Sequence, residues 1–167
     1  MGVSNSSRNQ IGRDYRKAFG QFSSSKTQRI NTLKATEVEL DAQEDVAGGV
    51  HTIDFEKGDI VIRQSGMYFV IACPQIGKVR GTTPRWIDFW VRLNNIDVPN
   101  SNLRAVIMDP QQKTVIPLNI VLPLNRGDTI NIMTAVETID EGLGIEAIAP
   151  DGEPTIPSII VTIVQLD

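Results

Sequence analysis

The sequence predicts an all-β protein, an antiparallel sandwich or barrel, carried behind a basic N-terminal arm. Three observations lead there. From Lys34 onward, about ten short runs of β-branched and aromatic residues alternate with clusters of Gly, Pro, Asn and Asp. No stretch repeats its apolar residues at the helical period. Charge also divides the chain. Residues 1–34 hold seven of the 16 basic residues and only one of the 20 acidic ones, Asp14, leaving an acidic remainder and a net charge of −4. A polar, cationic lead segment ahead of an acidic β domain is the composition of a chain attached to something.

The arm comes first, residues 1–34, followed by a sandwich domain over 35–167. Up to about Ser25 the arm is rich in Ser, Asn, Gln and Arg and poor in aliphatics, a composition that does not fold alone. Its expected docking residues are Arg8, Arg13, Arg16 and Lys17, with Phe19 and Phe22 as apolar contacts. Strands are expected over 36–40, 49–54, 59–63, 67–73, 86–93, 101–108, 114–122, 129–136, 144–148 and 158–166. Turns fall at Lys57-Gly58-Asp59, Ser65-Gly66, Asn94-Asn95, Asp109-Pro110, 125–128 and 151–154, where turn-forming residues collect.

Alternation within the strands assigns faces. In 86–93, Ile87, Phe89, Val91 and Leu93 share one side, and Trp86, Asp88, Trp90 and Arg92 the other, as in a half-buried strand. In 114–122 the apolar side is Ile116, Leu118, Ile120 and Leu122. Pro117 and Pro123 fall together on the opposite side, which predicts an edge or bulged strand. Two runs break the alternation: 67–73 (MYFVIAC) and 158–164 (SIIVTIV) are apolar on both faces. A sandwich covers one face of each strand, so the second face needs another cover. A second subunit is the simplest, although the arm or a long loop would also serve. Burying about six more aliphatic side chains contributes on the order of 10 kcal/mol gross, before association costs. Tyr68, Val70, Ile159, Val161 and Ile163 are the expected subunit-interface residues.

Read in order, the motifs resemble the tumour necrosis factor/complement globular-head superfamily. The similarity lies in Phe55 to Ile62 followed by Ser65-Gly66-Met67-Tyr68-Phe69, then Val91-Arg92-Leu93-Asn94-Asn95, then 122–130 with its Gly127-Asp128 step, and the closing run 158–166. The resemblance implies a ten-stranded jelly roll assembled as a homotrimer, with the Gly-x-Tyr strand and the closing strand facing the trimer axis. The chain departs from secreted members in lacking a signal peptide, a collagen-like stalk and heptads.

Composition narrows the chemistry. His51 is the single histidine, too few for a cupin-type metal site. Cys73, the single cysteine, excludes an internal disulfide and reads as a structural thiol. The acidic groups at Glu37, Glu39, Asp41, Glu44 and Asp45 and at Asp140 and Glu141 do not have EF-hand spacing, and no phosphate-cradling loop occurs. Trp86 and Trp90 lie on a wetter strand face, as partner contacts or under the 74–84 loop. No run reaches the ~18 apolar residues of a membrane helix.

The expectation is therefore a non-enzymatic homotrimer without cofactor or metal, binding neither nucleic acid nor membrane. Its arm mounts it on a larger particle, as a phage or viral capsid decoration (cement) protein made in the cytoplasm and located in the virion. The alternative is a receptor- or glycan-binding head of a bacterial surface protein or phage fibre, using loops 74–84, 137–142 and 150–157.

Overall fold

A computed structural model describes residues 17–43 and 53–167 of the chain. Its strands in chain order are β1 (Phe19–Ser24), β2 (Gln28–Arg29), β3 (Thr36–Glu37), β4 (Ala42–Gln43), β5 (Ile53–Glu56), β6 (Asp59–Ile62), β7 (Gly66–Gly77), β8 (Arg85–Leu93), β9 (Ile96–Asp97), β10 (Leu103–Ile107), β11 (Thr114–Val115), β12 (Leu118–Leu124), β13 (Thr129–Val136), β14 (Gly144–Ile145) and β15 (Ile159–Gln165). All named pairings are antiparallel, and they form two sheets of eight and seven strands.

The eight-stranded sheet runs β2-β14-β7-β15-β1-β4, with β11 and β12 along the other side of β7. The seven-stranded sheet runs β10-β8-β13-β6-β5, with β3 and β9 added at β13 and β8. Four pairings are nested in sequence: β1 with β15, β6 with β13, β7 with β12, and β8 with β10. The chain thus folds as one long hairpin of strands that is wrapped into two layers. Between the layers lies a single core, built from the inward halves of the strands: Tyr68, Val70 and Ala72 of β7, Ile159, Val161 and Ile163 of β15, Ile87, Phe89 and Val91 of β8, and Ile130 and Ile132 of β13.

The turns form where the sequence places them. Lys57 (φ 55°) and Gly58 (φ 98°) close the β5–β6 hairpin, and Asn94 (φ 50°) with Asn95 (φ 65°) close β8–β9. Both are consecutive left-handed pairs, the geometry that matches the twist of a two-residue hairpin and that Asn and Gly adopt at least cost. The proline-bearing strand is an edge: among the described residues β11 and β12 pair only with β7. Leu118↔Ala72 and Val115↔Gln75 share one register, so no bulge intervenes. The ladder loses one bond because Pro74 has no N–H to give to Ile116, while the Pro74 carbonyl still accepts from Ile116 N at 3.1 Å.

The sandwich begins at Phe19, inside the stretch that charge alone sets apart as an arm. β1 pairs with β15 over six residues, from Phe19↔Val164 to Ser24↔Ile159. Phe22 is fully buried, 5.8 Å from the Phe55 ring. The cationic residues that follow, Lys26, Arg29 and Lys34, are exposed beyond it. Net charge reports the surface of this segment, and the two phenylalanines its interior.

Candidate functional site: the outer face of the eight-stranded sheet

Side chains alternate along β7, β15, β1 and β12, and the registers stack the outward ones into rows. One row is Phe19, Val164, Phe69 and Val121, and the next is Gln21, Thr162, Ile71 and Asn119. A third holds Ser23, Ile160 and Cys73, and Met67 with Pro123 extends the face past the first row. Val121 (48 %), Val164 (37 %) and Met67 (36 %) are exposed, and Phe69, Ile71, Cys73 and Ile160 half-buried. These outward positions include no charged side chain. For a sheet face open to water that is an unusual composition.

The five residues expected at the subunit interface lie on the other side of these strands. Tyr68, Val70, Ile159, Val161 and Ile163 have no exposed surface and fill the core of the sandwich. Because a strand has a period of two, neighbours in sequence face opposite layers, so the outward residues of these strands are Met67, Phe69, Ile71, Cys73, Ile160, Thr162 and Val164. Burial, with the Asp167 carboxylate second, pushes the Tyr68 phenol up to about 12. The phenol stays protonated and donates to the Gln64 carbonyl at 2.7 Å.

Of the expected docking residues, Arg8, Arg13 and Arg16 lie outside the described residues. Lys17 is exposed, and its Nζ donates to the Leu166 carbonyl at 2.6 Å. The Ala18 N–H donates to the Gln165 side chain at 2.9 Å. The chain therefore enters the sandwich beside its last strand, at the end formed by Gly66 and Leu124. Phe19 belongs to the outer apolar face. Phe22 is a core residue and has no surface with which to dock.

At the opposite end, loops 78–85 and 137–142 are fastened to each other. The Lys78 ammonium, with no exposed side-chain surface, donates to Glu141 at 3.0 Å and to the Thr83 carbonyl at 2.7 Å. Arg85 Nε donates to the same carboxylate at 2.7 Å. The hydrogen bonds from Arg85 and then Lys78 hold Glu141 below the ordinary carboxylate range. Glu146, buried nearby in the sheet, is paired with Arg29 at 2.6 Å and Lys113 at 2.5 Å. These charges pair with one another across the loops.

The outer face of the seven-stranded sheet is polar. Arg104 makes two 2.8 Å bonds to Asp88 while its guanidinium lies 4.0 Å from the Trp86 ring centroid. Trp90 Nε1 and Arg92 Nε each donate to Asp97 at 2.8 Å. Both tryptophans thus lie on the wetter face, in polar lattices that sequence reasoning missed because their partners come from other strands. Cys73 sits half-buried, and burial pushes its thiol up, away from thiolate chemistry. His51 lies outside the described residues. Among the described residues no group of three His, Cys, Asp or Glu could hold a metal ion, and no helix is long and apolar enough to cross a membrane. No family model matches the chain, and no curated protein matches it.

Proposed function

We propose that this chain is a non-enzymatic structural subunit that self-associates through the outer face of its eight-stranded sheet. In this reading it is a homotrimeric jelly roll resembling the tumour necrosis factor/complement globular head. Its basic N-terminal segment mounts it on a larger particle, as a phage or viral capsid decoration protein is mounted. The observation that carries the reading is the uncharged outer face, in which four strands align Phe19, Val164, Phe69 and Val121 in one row beside Ile71 and Ile160. The nested strand pairing supports the jelly-roll reading, and so does the placement of the strand bearing Gly66-Met67-Tyr68 in one sheet with the closing strand. The mounting role rests on charge: four cations, Arg8, Arg13, Arg16 and Lys17, precede the first strand against one acid, Asp14.

Light scattering on the purified chain tests the assembly. A mass about three times the 18.4 kDa of one chain is expected, and a monomer at tens of micromolar would overturn it. The mounting role is tested by deleting residues 1–16, which leaves β1 whole. The shortened chain should remain a trimer and lose its place on particles from the native source. Full occupancy without those residues would remove the arm from the proposal.

A further inference from the structure

On the outer side of the seven-stranded sheet, two carboxylates converge on one amide. The buried Asn131 of β13 gives one Nδ2 hydrogen to Glu37 Oε1 at 2.8 Å and the other to Asp59 Oδ1 at 2.7 Å. The two acids come from different segments that share the same edge of β13. β6 covers that edge at Thr129 and Ile130, and β3 covers it at Met133 and Thr134. Asn131 stands at the junction between them. Residues 36–40 form a strap across this edge, held by the short β3 ladder, by Val38 N–H to the Ile132 carbonyl at 2.8 Å, and by buried Val38 and Leu40.

We propose that residues 36–40 are an acid-tightened strap, latched to β13 by Asn131 between the Glu37 and Asp59 carboxylates. The amide can satisfy both oxygens but cannot neutralise either charge, so the closed latch holds two like charges against one nitrogen. Glu37 is exposed even in the closed strap, so what opening changes is its separation from Asp59 and its bond to Asn131. The remaining charges around Glu37 do not cancel this. Arg92 on β8 faces it but is bonded to Asp97. Lys57 and Glu39 line the hollow on one side of Glu37, and Lys26 and Arg29 the hollow on the other, where Arg29 is paired with Glu146. Desolvation, partly offset by the Asn131 hydrogen bond and reinforced by Asp59, holds the Glu37 carboxyl above its ordinary value. A carboxyl raised in the closed form binds its proton more tightly there than in the open form. Closure therefore strengthens as pH falls through that raised value, and the gain is absent at higher pH, where both forms are ionised.

Amide hydrogen exchange on the intact protein tests the strap, with rates corrected for the intrinsic pH dependence of exchange. Protection of the Val38 amide should rise about three- to tenfold between about pH 7.5 and about pH 4.5. Protection of the central β15 amides should change much less. Glu37→Gln removes the charge and keeps the acceptor. It should give high protection of Val38 at both pH values, and Asp59→Asn should shift it in the same direction. Val38 protection that is flat or falls on acidification in the unsubstituted protein would overturn the proposal, whether or not either variant folds.

Discussion

The two outer faces of this sandwich are built on the same alternation and finished for different surroundings. On the seven-stranded sheet each outward aromatic has a charged partner: Arg104 lies over Trp86, and Asp97 accepts from the Trp90 indole. On the eight-stranded sheet Phe69 meets Val164 on one side and Val121 on the other, with no charge in the row. Cross-strand charge pairs let a sheet face remain in water, whereas an apolar row gains free energy only by leaving it. The difference is one of finish: one outward face carries its aromatics in charge pairs, and the other carries an uncharged row, which is the basis of the proposed contact.

The largest effect separates the inward and outward sides of a single strand. Val70→Asp places a carboxylate in a core position with no exposure and no cation beside it, and should cost about 4–5 kcal/mol or more. That reaches the lower end of the ~5–15 kcal/mol stability of typical domains, so the cooperative thermal transition should fall sharply in temperature or be lost. Phe69→Asp, one residue earlier, should leave the monomer folded and dissociate the assembly, read as a fall in mass by light scattering. If both variants unfold, or the Phe69 variant keeps its mass, the outer face is not the contact.

Next in size is Phe22→Ala. The side chain is fully buried against Phe55 in a strand that pairs along β15, so its loss should cost about 3–5 kcal/mol in denaturant unfolding. Deletion of residues 1–16 should leave the unfolding midpoint nearly unchanged. Together these two measurements place the boundary between mount and sandwich. An unchanged midpoint in Phe22→Ala would return Phe22 to the arm.

Most of the sandwich was legible in the sequence because its strands announce themselves by alternation and turn residues. The expected 129–136 coincides with β13, and 86–93 falls one residue short of β8. Two physical effects hid the rest. β1 was obscured by the cations around it, and because Phe19 and Phe22, three apart, fall on opposite faces and show no period-two alternation. Gly20 itself is needed there, since a Cβ would come within 2.9 Å of the Phe22 ring. β7 continues past Pro74 to Gly77, where a proline seemed to end it; only the one bond from residue 74 toward Ile116 is lost, and the Gln75 N–H still donates to the Ser158 carbonyl at 2.8 Å. The apolar outer face was legible as strands that are apolar twice over. Its residues were set one position away, because a run apolar on both sides contains no information on which side is inward.

Smaller effects belong to the solvated face. Arg104→Ala removes the two bonds to Asp88 and uncovers Trp86, which should lower the melting temperature slightly and leave the mass of the assembly unchanged. The smallest effect expected is acid sensitivity at Asp97. The hydrogen bond from Arg92, and after it that from Trp90, holds this carboxyl below its ordinary value. A depressed folded value contributes stability that is present above the ordinary carboxylate range and lost as pH falls through the folded value. Asp97→Asn should therefore narrow its difference in melting temperature from the unsubstituted protein as pH is lowered from about 7 to about 3, a small change because the pair is exposed. Light scattering on the same samples should give the same mass for both proteins at neutral pH. A variant that changed oligomeric state there would mean that the charged face also takes part in assembly, and the contrast between the two faces would no longer separate solvent from subunit.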